Sequence, residues 1–153
     1  MSGDIHHQRA IYQDQAGKGP IPEGDYTFQK QGFQSYDDLS FWQKVVSKIG
    51  AGRFPGGIRP WGRYRVDLNP TLGTNTYNRQ GIMLHGGNEY GSAGCIDLEN
   101  QIDNFYNHIR QHPQSEFPLT VEYDHLKPFM WDKKWGQYYN QYDDPFFIYR
   151  MLY

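Results

Sequence analysis

The chain has 153 residues, 37% of them hydrophobic, 21% charged and 17% aromatic, which suits one folded domain and is too aromatic and too weakly charged for a disordered segment. A net charge of −2 argues against a nucleic-acid-binding face, and no window approaches the roughly 18 consecutive apolar residues of a membrane span. A single cysteine excludes both a disulfide scaffold and a multi-cysteine zinc site.

Met1 to His7 is polar and lacks the apolar core of a signal peptide, so the chain is expected not to enter the general secretory route by itself. Residues 1–16 read as an irregular lead-in, closed by the turn Gly17-Lys18-Gly19-Pro20. Asp25 to Lys30 alternates with the period of a strand. Asp37 to Ile49 is the first helix: Leu39, Trp42, Val45, Val46 and Ile49 form its core-facing stripe, Asp37 and Asp38 open it, and Gly50 stops it. Residues 50–62 form a loop rich in glycine and proline. Arg53, Arg59, Arg63 and Arg65 make a basic stretch closed by Asp67, expected to be a solvated loop-and-strand surface.

Tyr64 to Leu68 reads as a strand, 69–78 as a polar turn region, and Gly81 to Leu84 as a short buried strand that delivers His85 at its end. A second helix is expected from about Asp97 to Gln111, with Leu98, Ile102, Phe105, Tyr106 and Ile109 as its apolar stripe, and Pro113 beyond it. Leu119 to Tyr123 is the clearest strand. Residues 124–153 are an aromatic extension without a clean period, containing Trp131, Trp135, Tyr138, Tyr139, Phe146 and Phe147. With no internal repeat and no linker, residues 1–153 read as a single domain, mainly β with two packed helices, of the α+β class.

The stretch that carries chemistry is His85 to Leu98, H-G-G-N-E-Y-G-S-A-G-C-I-D-L. It sets the only cysteine ten residues after a histidine that ends an apolar strand. Gly86, Gly87, Gly91 and Gly94 between them allow tight turns and close approach of a ligand. A thiol with a free pKa of about 8.5 is mostly protonated near neutrality, so a cysteine nucleophile needs a base beside it. His85 is the candidate base for Cys95. Backbone N–H groups around Gly94 and Cys95 are candidate oxyanion donors, and Ser92 is placed to bond within the loop or to hold a substrate group. The bland alternative is a buried thiol and a satisfied polar histidine.

The run "LHGG…GSAGCIDL" resembles the signature of the L,D-transpeptidase family, in which an HG pair precedes an S-x-G-C motif holding the nucleophile. "GKGPIPEGDYTF" (Gly17 to Phe28) and "WGRYRVDLNP" (Trp61 to Pro70) resemble the opening and the following strand of the same proteins. The short spacing and the alanine of S-A-G-C are most similar to the small L,D-transpeptidase-like toxins of type VI secretion systems. The resemblance implies a β-sandwich catalytic domain acting on peptidoglycan stem peptides without a metal or other cofactor. Cys95 would attack the carbonyl of the third stem residue and expel the terminal D-alanine, with His85 as base and then acid, and water or an amine would resolve the thioacyl-enzyme. A backbone carbonyl or small polar side chain within Gly86 to Asn88 would orient His85, and Ser92, Gly86, Asn88 and Gly94 would line the oxyanion and substrate sites. Where family members carry S-H-G-C followed by an arginine, this chain has Ala93 and Asp97, and an aspartate there would repel a carboxylate or bind an amine. An immunity protein and a secretion-system component are the implied partners, and the target-cell periplasm the implied place of action.

Other features carry less. His108 and His112 have zinc-pair spacing but lack the metalloprotease glutamate, Ile109 standing in its place, and read as a solvated helix end. Asp143-Asp144 before Pro145 reads as a turn. The aromatic extension reads as packing across a sheet. Its functional alternative is a sugar-stacking or partner-docking platform, the basis of a second reading in which the chain is a non-catalytic wall-binding module.

Overall fold

The computed structural model describes residues 2–4, 6–89 and 92–123, and the backbone of 130–132, 137–139 and 148–150. Thirteen elements follow in order: β1 (Gly24–Gln29), β2 (Gln34–Ser35), α1 (Phe41–Lys48), α2 (Ile58–Trp61), β3 (Tyr64–Asp67), β4 (Asn69–Pro70), β5 (Met83–His85), β6 (Ile96–Asp97), α3 (Ile102–Gln111), β7 (Glu116–Glu122), β8 (Met130–Asp132), β9 (Gln137–Tyr139) and β10 (Ile148–Arg150). One four-stranded sheet has the order β10-β7-β1-β4, a second the order β2-β3-β5-β6, and β8 and β9 pair as a two-stranded ribbon. The class is α+β, mostly sheet with few helices, as the alternation and the helical stripes predict. Among the described residues, no helix is long and apolar enough to cross a membrane.

Alternation builds the core. In β1, Tyr26 and Phe28 point inward, and their antiparallel partners Leu119 and Phe117 in β7 share that face, the two phenyl rings stacking at 5.3 Å. In the second sheet, Val66, Leu84 and Ile96 lie side by side across β3, β5 and β6 on the buried face. Ile102 and Ile109 of α3 complete the same cluster. Burying each of these large side chains is worth about 1.5–3 kcal/mol, so the two sheets and α3 are held by one core.

Several elements depart from the sequence reading. The strand expected from Leu119 begins at Glu116 and runs through Pro118. That proline is tolerated because β10 pairs only with Thr120 to Glu122, so the missing N–H of Pro118 faces no described partner strand on that side. The second helix starts later than Asp97, because Asp97 is the end of β6, and a 3-10 turn (Glu99–Gln101) precedes α3. Its apolar stripe is as expected: Ile102 and Ile109 are buried, Leu98 and Phe105 pack against the core, and Tyr106 stacks on Tyr64 at 3.9 Å. The loop 50–62 contains α2, and Asn69–Pro70 within the expected turn region pairs with β1.

The first helix is the clearest correction. It begins at Phe41, and Ser40 caps it in a reciprocal capping box with Gln43. Asp37 instead pairs with Arg63 at the surface. The expected core-facing stripe is largely exposed, with Trp42 73% and Ile49 79% accessible. Polar backbone contacts tie the helix down instead: the Ser47 hydroxyl donates to the Phe54 carbonyl, and Gly56 N–H to Ser47 O. The expected basic surface also splits. Arg59 pairs with Glu89 and Arg63 with Asp37, whereas Arg65 is buried. The side chains of the aromatic extension and Gly91 lie outside the described residues.

Candidate active site

The site grows from the polar face of the second sheet. The pairings Gln34↔Arg65, Arg65↔His85 and His85↔Asp97 run through β2, β3, β5 and β6. Directly paired residues project to the same side of a sheet, so these four form one polar row opposite the row of Val66, Leu84 and Ile96. Alternation alone therefore lifts His85 out of the core. Cys95, immediately before β6, falls on the same side.

Covering groups bury this row. The ring of Trp61, at the end of α2, lies 4.9 Å from that of His85. The Arg65 guanidinium sits over the Trp61 ring at 4.9 Å and over Phe54 at 4.6 Å, and donates to Gln34 Oε1 at 3.1 and 3.0 Å. His85, Ser92, Cys95 and Asp97 are all buried.

Hydrogen bonding fixes the state of His85. Its Nδ1 lies 2.6 Å from the Gly86 carbonyl oxygen and its Nε2 2.8 Å from Ser92 Oγ. A carbonyl can only accept, so Nδ1 carries the proton. In the neutral ring Nε2 is then an acceptor aimed at the Ser92 hydroxyl. Burial pushes the His85 pKa down, while the Gly86 carbonyl and the Asp97 charge oppose that shift. Gly86 must be glycine for this geometry: an added Cβ would lie 2.4 Å from Ile102 Cγ2 and 2.6 Å from the Glu99 carbonyl.

Cys95 has its own backbone anchor. Its thiol donates to the Gly81 carbonyl at 3.8 Å. Burial pushes its pKa up, opposed first by the Met83 backbone, then by the Ser92 hydroxyl, Arg79 and Arg65. With the histidine shifted down and the thiol shifted up, the resting pair is neutral. Ser92 itself is clamped by a two-way backbone bridge, Gly3 N–H to Ser92 O at 2.7 Å and Ser92 N–H to Gly3 O at 3.1 Å. Arg79 donates to the carbonyls of Gln13, Pro20 and Gly19 at 2.8, 2.5 and 3.0 Å, tying the lead-in to the Gly94 turn.

The sequence-derived residues thus separate into groups. His85, Ser92, Cys95 and the Gly86 carbonyl come together. Asp97 is buried beside His85, and its Oδ1 accepts from Glu99 N–H at 2.7 Å. Asn88 is exposed and lines a cavity of about 150 Å³ with Gly87, Glu89, Glu99 and Asn100. His108 is exposed, and His112 packs edge-on against Phe117. Sequence reasoning did not include Arg65, Arg79 or Trp61 in the site. The alternation around Val66 was the available signal for Arg65; Arg79 lies in an irregular segment that offered none.

No curated protein and no solved structure matches the chain. Residues 2–120 match one protein family, the Tlde1 domain. That span takes in the lead-in, both four-stranded sheets up to Thr120 and the His85–Cys95 turn, and the chain accordingly belongs to the Tlde1 domain family, a family of type VI secretion effectors.

Proposed function

We propose that the chain is a cysteine enzyme of bacterial peptidoglycan that cleaves or exchanges the L,D bond of tetrapeptide stems. The observation that carries this reading is the buried assembly of Cys95, Ser92 and His85, with the imidazole held by the Gly86 carbonyl in the tautomer that presents Nε2 as a base. Cys95 attacks the carbonyl carbon of the third stem residue as its proton passes to His85. The tetrahedral oxyanion is met by backbone N–H groups at the Gly94–Cys95 turn. Collapse breaks the amide bond, and the imidazolium returns its proton to the departing D-alanine amine. Water resolves the thioester in carboxypeptidase action; an amine does so in exchange or cross-linking.

Family membership supports delivery by a type VI machine into the periplasm of a target bacterium, with an immunity protein protecting the producer. The experiment is to incubate purified tetrapeptide stems with wild type and Cys95→Ala and to weigh the products. Loss of D-alanine, or its replacement by an added D-amino acid, is expected with wild type alone. Intact stems in both samples would overturn the proposal.

A further inference from the structure

Between nucleophile and base stands a third side chain that a two-residue mechanism leaves idle. Ser92 Oγ lies 2.8 Å from His85 Nε2, and its hydroxyl acts on the Cys95 thiol three residues on in the direction that favours the thiolate. Because Nδ1–H is committed to the Gly86 carbonyl, Nε2 is the only basic position on the ring, and the Ser92 hydroxyl occupies it. The hydroxyl is buried, which keeps bulk water from competing for it. The bridge to Gly3 fixes the Ser92 main chain through both its N–H and its carbonyl.

We infer that Ser92 is a catalytic proton relay: the thiol proton reaches His85 through its hydroxyl. In the forward step the Cys95 S–H turns from the Gly81 carbonyl to Ser92 Oγ, and the S–H bond breaks as a new O–H bond forms on Ser92. The original Ser92 proton leaves Oγ for His85 Nε2. Serine is unchanged, and the products are a thiolate and an imidazolium. In that state the hydroxyl donates to the sulfur and accepts from Nε2–H, so the same three atoms stabilise the ion pair by reversing both hydrogen bonds. The charged groups around the relay are Arg65, from β3, and Arg79, near the Gly94 turn, which favour the thiolate, and Asp97, from β6, which favours the imidazolium that Arg65 opposes.

This inference rests on the reading of Cys95 as nucleophile, so its test uses iodoacetamide, which reports thiolate formation without any wall substrate. Alkylation rates are measured from pH 5 to 10 for wild type, Ser92→Ala, Ser92→Thr, His85→Ala and the Ala/Ala double variant, each checked for a cooperative melt. The expected loss at pH 7 is about tenfold or more in Ser92→Ala, with Ser92→Thr within about threefold of wild type, since only the hydroxyl matters. Groups acting in series do not add, so the double variant is expected within about twofold of the slower single variant. Wild-type rates and pH profile in Ser92→Ala, or single losses that multiply in the double variant, overturn the relay. Should Ser92→Ala fail to fold, the wild type still decides: the ¹⁵N resonance of His85 Nε2 must move when Cys95 ionises, and a stationary resonance overturns the relay. Equal D-alanine release by wild type and Ser92→Ala would sink the relay and leave the proposed function standing. Relay behaviour in alkylation with no D-alanine release would do the reverse.

Discussion

Replacing Gly94 by alanine tests the packing of the turn that leads into Cys95, and Gly50 supplies its control. Both glycines occupy the left-handed region at nearly the same angle, φ +85° for Gly94 and φ +84° for Gly50. An L side chain there costs roughly 1–2 kcal/mol at either position. Their surroundings differ completely. A Cβ on Gly50 would meet nothing within 4 Å, whereas one on Gly94 would lie 1.7 Å from Arg79 Nη2 and 2.8 Å from its Cζ. Contact distances of about 3.5 Å then require the guanidinium to withdraw. Its Nη2 bond to the Gly19 carbonyl is the first to go, and those to Gln13 and Pro20 are strained. A hydrogen bond from a charged donor is worth about 1.5–3 kcal/mol, so the collision adds roughly 2–4 kcal/mol to the backbone cost.

Gly94→Ala is therefore expected to lose about 3–6 kcal/mol in all, against about 1–2 kcal/mol for Gly50→Ala. Urea unfolding reads the difference directly. With a slope of about 2 kcal/mol/M, the midpoint falls by roughly 1.5–3 M in Gly94→Ala and by about 0.5–1 M in Gly50→Ala. Midpoints for the two variants within about 0.3 M of one another would refute the claim that Arg79 fills the space a Cβ would need.

Two further outcomes follow from burial and charge. Ile109→Ala in α3 removes a fully buried side chain and is expected to cost about 2–5 kcal/mol, while Trp42→Ser in α1, on an exposed position, stays within about 0.5 kcal/mol; equal losses in urea unfolding would mean that α1 is docked through its apolar stripe after all. The second outcome concerns acid. Burial holds His85 below its ordinary value of about 6.5, so on acidification the unfolded chain takes up that proton first. The corresponding stability is complete above about pH 6.5 and is lost as pH falls toward the depressed value. The urea midpoint of wild type should drop more between pH 7 and pH 5 than that of His85→Gln, and parallel slopes would show that His85 is not desolvated.

Much of this architecture was legible because its elements obey simple periods. The strand at Gly24–Gln29 and the stripe of α3 are carried by spacing, which selects the buried Tyr26, Phe28, Ile102 and Ile109, and the strand delivering His85 by a short apolar run that holds the buried Ile82 and Leu84. The stripe Leu39-Trp42-Val45-Val46-Ile49 has an equally good helical period and is mostly exposed. Periodicity reports that a helix has an apolar side, not that a core is waiting for it. The helix is fastened by Ser47 and Gly56, a single polar side chain and a turn that leave no periodic trace. His85 and Cys95 stood out through the glycines around them. Arg79 did not, because what defines it is three backbone carbonyls 59, 60 and 66 residues back in the chain.

The burial of the site has a chemical consequence. Low polarity penalises charge, which is why the thiol and the imidazole rest in their neutral forms. The same low polarity strengthens every interaction with a charge once it has formed. Arg79 spends its described hydrogen bonds on neutral carbonyls, and Arg65 spends its own on the Gln34 amide, with the faces of Trp61 and Phe54 against it. No carboxylate takes part in these bonds, and although the Asp67 charge offsets part of the Arg65 field, both guanidinium groups favour a thiolate at Cys95. A site built this way keeps the Cys95 thiol protonated in the resting state and favours its charged form only as the proton is drawn off. The glycines of the turn, the two buried arginines and Ser92 thus belong to one electrostatic design, in which the backbone sets where charge can appear and the flanking cations favour the thiolate once it forms.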